Sequence, residues 1–123
     1  MKPLLWIKAA KRSLMDMPAE VITDFGYGLY QAQIGLHPDI GKPLKGFRSA
    51  NVLELVLDCD NDTFRVVYTV RFSDAIVVIH AFKKKSKKGI KTPKEEIDLI
   101  HERLKRAEDL YNEWKNAGGQ SND

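Results

Sequence analysis

Residues 51–82, NVLELVLDCDNDTFRVVYTVRFSDAIVVIHAF, constrain the fold more than any other stretch of this 123-residue chain. Runs rich in Val, Ile, Leu and aromatic residues are cut by two polar clusters, Asp58 to Asp62 and Ser73-Asp74, the pattern of three strands joined by two hairpins. A two-residue turn at Ser73-Asp74 pairs Phe72 with Ala75, which sets Arg65 opposite Phe82 and Val67 opposite His80. Strand alternation then sorts the side chains into two faces. Leu53, Leu55, Leu57, Phe64, Val66, Tyr68, Val70, Val77 and Ile79 make an apolar face that helices must cover. The other face carries Glu54, Arg65, Thr69, Arg71 and His80 among Val67, Val78 and Phe82, and its polarity predicts an open surface.

The flanking segments supply the helices. PLLWI reads as a short strand, and KAAKRSLMDM as a short helix ended by Pro18, which disfavours helical geometry in the residue before it. From Ala19 to about Leu36, Val21, Phe25, Leu29, Ala32 and Leu36 fall on one helical face. A loop rich in Gly and Pro spans His37 to Ala50; its Gly41-Lys42 is followed by Pro43 where a phosphate-binding loop requires Ser or Thr, which excludes a nucleotide P-loop. Thr92-Pro93-Lys94-Glu95 has the form of a capping box, with Thr92 as N-cap. It opens a helix whose stripe Ile97, Ile100, Leu104, Ala107, Tyr111 and Trp114 suits packing on the sheet. The end, from about residue 116 to 123, reads as a frayed tail. The expected fold class is therefore α+β: one domain over 1–123, with a small antiparallel β-sheet, two N-terminal helices and a C-terminal helix.

Charge separates the function classes. The apolar runs are too short to span a bilayer, and MKPLLWIKAAKRS lacks the apolar core of a secretory signal, so a cytoplasmic location with no membrane partner is expected. Cys59 is the single cysteine, which excludes an internal disulfide. His37, His80 and His101 fit no metal-ligand spacing, so neither a metal nor a cofactor is expected. Residues 40–91 carry eleven basic and five acidic groups, against five and eight over residues 92–123, so the middle of the chain forms a basic zone. Six lysines lie between Lys83 and Lys91, at the end of the third strand. With Arg65 and His80 on the sheet and Lys45 and Arg48 in the loop before it, they suit a phosphate-binding site. Cleavage of RNA by its own 2′-hydroxyl needs that chemistry: a clamp on the phosphate, a group that takes one proton and a group that gives another. The competing readings are a solvated lysine loop, an Arg65 paired across the hairpin with Glu54 or Asp58, and a His80 satisfied within the sheet.

Three blocks, KPLKGF (42–47), VLELVLDCDNDTFRVVYTVRF (52–72) and HAFKKKSKKGIKTPKEEIDLI (80–100), with AEVITDFGYGLYQAQIGLHPD before them, resemble the phage-related, HigB-like branch of the RelE/ParE toxin superfamily. The resemblance covers most of the chain and implies a RelE-like fold of helices on a small antiparallel sheet. It implies a type II toxin that cuts mRNA on the ribosome without a metal, is cytoplasmic, and is silenced by a cognate antitoxin of helix-turn-helix type. Arg65 corresponds to the family's strand arginine, and Lys84 with Lys85 to its basic pair. The catalytic set expected is Arg65, Lys84, Lys85 and His80, and the RNA-binding set Lys45, Arg48, Lys83, Lys87, Lys88 and Lys91. Two alternatives stay open: a non-catalytic ParE-type inhibitor of DNA gyrase, and a phage-derived domain without toxicity.

Overall fold

The computed structural model describes residues 1–47, 51–85 and 92–119. Its elements, in chain order, are β1 (Leu4–Trp6), α1 (Lys8–Met15), α2 (Ala19–Gln33), β2 (Gly41–Pro43), β3 (Val52–Cys59), β4 (Asp62–Thr69), β5 (Ile76–Lys85) and α3 (Lys94–Asn116). The sheet runs β1-β5-β4-β3-β2. Strands β2 to β5 pair antiparallel, while β1 lies parallel to β5. This is the α+β arrangement expected: the edge strand β1 falls within PLLWI, read as a short strand, and its parallel pairing makes the sheet mixed, while the other edge strand, β2, was not foreseen. Strand β2 sits inside the segment read as a loop. Pairing of Gly41 with Leu55 and Pro43 with Leu53 creates it, and a proline is tolerated there because the strand is at the edge.

The β3–β4 hairpin closes on Asp60 and Asn61, both at positive φ (49° and 67°), the primed-turn geometry that matches strand twist and that Asp and Asn accept. The second connection differs from expectation: β4 ends at Thr69 and β5 starts at Ile76, so residues 70–75 form a longer turn than the two-residue one proposed from Ser73-Asp74. Arg65 does pair with Phe82, and Val67 with His80, but the ladder then slips by one residue, so that Tyr68 meets Val78 and Thr69 meets Val77. This bulge reverses the faces of the residues beyond it. Ile76 and Val78 therefore pack with α1 and α2, while Val77 and Ile79, expected on that side, point toward α3.

Ala10, Leu14, Val21, Phe25 and Leu29 of α1 and α2 cover Leu55, Phe64, Val66 and Tyr68. A Cβ on Gly28 would stand 2.9 Å from Leu55 Cδ1, so the glycine permits the close approach of α2 to β3. Helix α2 stops at Gln33, short of Leu36, because Gly35 takes φ +87° and the N–H groups of Gly35 and Leu36 turn back onto the carbonyls of Ala32 and Gln31. The second face of the sheet is not open. Ile100 and Ala107 of α3, with Ile97, Leu104 and Leu110 beside them, cover Val67, Val77, Ile79 and Phe82. The sheet is thus the middle layer of three, and the polar residues of that face lie under α3. Beyond α3, Ala117 to Gly119 close the helix, and the remainder of the expected tail lies outside the described residues. Among the described residues, no helix is long and apolar enough to cross a membrane.

Candidate functional site

Arg65 stands on β4 with its side chain on the α3 face, and only 1% of it is exposed. The expectation of an arginine on an open sheet face is corrected by the position of α3. Its Nη1 donates to Glu54 Oε1 at 2.8 Å and to Thr92 Oγ1 at 3.3 Å. Pairing with Glu54, one of the readings open from the sequence, is therefore the resting arrangement. Thr92 does not cap α3 as its motif suggests. Pro93 occupies the cap position with no side-chain hydrogen bond to the helix, and the Thr92 hydroxyl faces Arg65 instead.

Glu54 is as deeply placed as its partner, at 2% exposure. Its Oε1 receives Arg65 and lies 3.8 Å from Lys42 Nζ, while its buried Oε2 meets no hydrogen-bond partner among the described residues. A buried carboxylate oxygen that meets no donor costs about 1–3 kcal/mol or more, so Oε2 stands as an acceptor at the floor of the cleft. The pair floors a cleft of about 460 Å³ whose walls include Lys42, Lys45, Gly46, Thr92 and Ile97. Two lysines, a bidentate-capable arginine and one acceptor oxygen make this cleft suited to a phosphate that brings its own hydroxyl proton. Sequence reasoning treated Glu54 only as a partner for Arg65. The signal available was its position, an acidic residue set among Val52, Leu53, Leu55, Val56 and Leu57.

His80 belongs to a different cleft. Its Nδ1 lies 2.7 Å from Arg103 Nη1, which also donates to the Ile79 carbonyl at 3.3 Å, and its Nε2 lies 3.1 Å from Glu96 Oε1. A guanidinium only donates, so Nδ1 accepts and the single ring proton sits on Nε2, donated to Glu96. Burial pushes the His80 pKa below its usual value of 6.5, against the pull of Glu96 and with the help of Arg103. The surrounding cleft, about 790 Å³, is bordered by Asp16, Asp62, Lys83, Glu96 and Arg103, and shares no lining residue with the first. The convergence of Arg65 and His80 expected from the ladder is thus not achieved in one cavity. Phe82, opposite Arg65 on the ladder, has its ring stacked on His80 at 5.2 Å.

A pH dependence follows from His80. Because its folded pKa is depressed, the unfolded chain binds the proton more readily, and stability falls as pH drops through about 6.5 toward the folded value. Urea denaturation at pH 7.5 and pH 5.5 should show the wild-type midpoint falling on acidification. His80→Gln should lose part of that dependence; an identical slope in both proteins would remove His80 as its source.

The lysines divide as well. Lys45 borders the first cleft and Lys83, which lies 3.9 Å from Asp62, borders the second. Lys84 pairs with Thr63 and Lys85 with Asp62, so Lys84 shares the face of Arg65 while Lys85 faces the other way. Arg48, Lys87, Lys88 and Lys91 lie outside the described residues. Cys59 donates its thiol to Glu20 at 3.1 Å, and that hydrogen bond, followed by desolvation and the charges of Glu20 and Asp60, raises its pKa to about 11. The thiol stays protonated at neutral pH, so Cys59 is a poor nucleophile and a poor metal ligand as it stands, although Glu20 and Asp60 lie within reach of a shared ion.

A sheet between two helical layers, with a buried arginine–carboxylate pair beneath a lysine-lined cleft, defines a small α+β protein. Residues 12–105 match the family described as phage derived protein Gp49-like (DUF891), and the chain belongs to that family. The family is part of the RelE-type, toxin–antitoxin-related group. No curated protein matches the chain.

Proposed function

We propose that the protein is the toxin of a type II toxin–antitoxin pair and that it cuts mRNA on the ribosome, with the RNA 2′-hydroxyl as nucleophile and no metal ion. The observation that carries this reading is the Arg65–Glu54 pair at the floor of a cationic cleft, a guanidinium and a carboxylate whose Oε2 meets no donor among the described residues. In the proposed reaction the scissile phosphate draws the Arg65 guanidinium away from Glu54, and Lys42 and Lys45 offset the remaining negative charge. Glu54 takes the proton of the 2′-hydroxyl. The 2′-oxygen bonds to phosphorus as the bond from phosphorus to the 5′-oxygen breaks, and the leaving 5′-oxygen takes a proton from the Lys84 ammonium. The products are a 2′,3′-cyclic phosphate and a 5′-hydroxyl.

In this account His80 is a positioning residue, because Glu96 and Arg103 tie it to α3, whose first turns roof the cleft. The partners proposed are the ribosome with its mRNA, and an antitoxin of helix-turn-helix type.

Incubation of the purified protein with programmed ribosomes, followed by mapping of new mRNA ends, tests the reading. Codon-spaced cuts are expected. Intact mRNA together with blocked supercoiling by gyrase would replace it with the ParE-type alternative. The faces of β5 add a sharper expectation. Lys84→Gln should lower the single-turnover rate at saturation by about 10²-fold, as loss of a transition-state contact does. Lys85→Gln should mainly weaken binding, by an amount that shrinks as salt rises. Equal, salt-sensitive losses from both would make Lys84 a binding residue and leave the leaving oxygen without its assigned donor.

A further inference from the structure

We infer that Phe47 and His101 form a platform on which a nucleobase next to the scissile phosphate stacks, an inference that rests on the ribonuclease reading above. The two rings are stacked, with centroids 4.5 Å apart and planes 28° from parallel. Phe47 follows directly on Lys45 and Gly46, which line the first cleft, and is seated on the core cluster beneath α3. His101 lies four residues after Ile97, another lining residue, so both project from the same side of α3. Phe47 is half-buried, whereas His101 is exposed. The pair is therefore anchored at its inner ring and open at its outer one. This position is beside the lysines that would hold the phosphate.

Single-stranded RNA offers such a surface its natural partner. Each unpaired base has a flat π-face, and aromatic side chains, histidine included, stack on it without demanding a particular base. A residue whose only task is to cover the core has no need of an exposed planar ring at that point. An exposed ring beside a phosphate site instead fixes the direction in which the chain of nucleotides leaves the cleft. His101 thus acts as a positioning residue for the substrate rather than as a proton carrier.

The test is single-turnover cleavage of ribosome-bound mRNA over a range of protein concentrations, for the wild type, His101→Ala and His101→Tyr. Loss of one stacked base corresponds to roughly a 5- to 150-fold weakening. His101→Ala should therefore raise the concentration for half-maximal rate within that range, with a much smaller change in the rate at saturation, and His101→Tyr should recover most of the loss. A His101→Ala protein with the wild-type concentration dependence overturns the platform while leaving the ribonuclease reading in place. A loss that His101→Tyr does not recover also overturns it, since that result assigns His101 a purely structural role. If the wild type makes no cuts, the ribonuclease reading fails and the platform fails with it.

Discussion

Replacing Arg65 with alanine should abolish cleavage and also destabilise the fold by about 3–5 kcal/mol, because it strands the Glu54 carboxylate in the interior without its ion-pair partner. For a chain of this size, that loss corresponds to a fall in Tm of about 10–25 °C. An arginine on an open surface would behave differently, losing function at almost no cost in stability. Thermal denaturation of Arg65→Ala decides between them, and a Tm equal to that of the wild type would contradict the buried pair. The double replacement Arg65→Met with Glu54→Leu separates the two losses. Removing both charges and filling their space should restore most of the stability, since a buried ion pair is often no better than a well-packed apolar pair, while activity stays absent.

Glu54→Gln should leave a folded protein whose single-turnover rate is down by about 10²- to 10⁴-fold. The amide oxygen still accepts from Arg65 although the guanidinium loses its counter-ion, so the stability cost should be about 1–3 kcal/mol, at or below the lower end of the range for losing the arginine. What disappears is the ability to take a proton from the 2′-hydroxyl. A raised pH should not rescue the variant, because glutamine has no proton-accepting form. Full activity in Glu54→Gln would move the general base elsewhere and reduce Glu54 to a counter-ion for Arg65.

The central hairpin was legible because its information is local. Turn residues at Asp60 and Asn61 and the alternation along β3 and β4 mark this hairpin without reference to distant parts of the chain. The bulge beyond Val67 was not legible. One extra residue in β5 changes no composition, yet it moves Val77 and Ile79 to the other face. Burial of the second face escaped for a related reason. Alternation reports how polar a face is, but polar groups satisfied by one another, as Arg65 is by Glu54 and His80 by Glu96 and Arg103, can be buried, and those partners lie far along the sequence. The same long-range contacts explain Thr92, whose capping motif is intact while its hydroxyl serves Arg65. Strand β2 exists only through its pairing with β3. In the candidate site, Arg65 and Lys45 were found from their type and place in the chain, whereas Glu54 became a candidate only once its open oxygen lay in a cleft with them.

In the proposed reaction Arg65 clamps the phosphate and Glu54 takes the proton of the RNA 2′-hydroxyl, so the chemistry of the cut ends tests the account most directly. Fragments produced by the purified wild-type protein on programmed ribosomes can be probed by ligation, which distinguishes a 5′-hydroxyl from a 5′-phosphate, and by phosphatase treatment of the 3′ end. The account predicts a 5′-hydroxyl on the downstream fragment and a 2′,3′-cyclic phosphate on the upstream one, with no cutting when the 2′-hydroxyl at the scissile position is replaced by hydrogen. A 5′-phosphate, or undiminished cutting at the 2′-deoxy position, would mean that water is the nucleophile and would contradict the role given to Glu54 and Arg65.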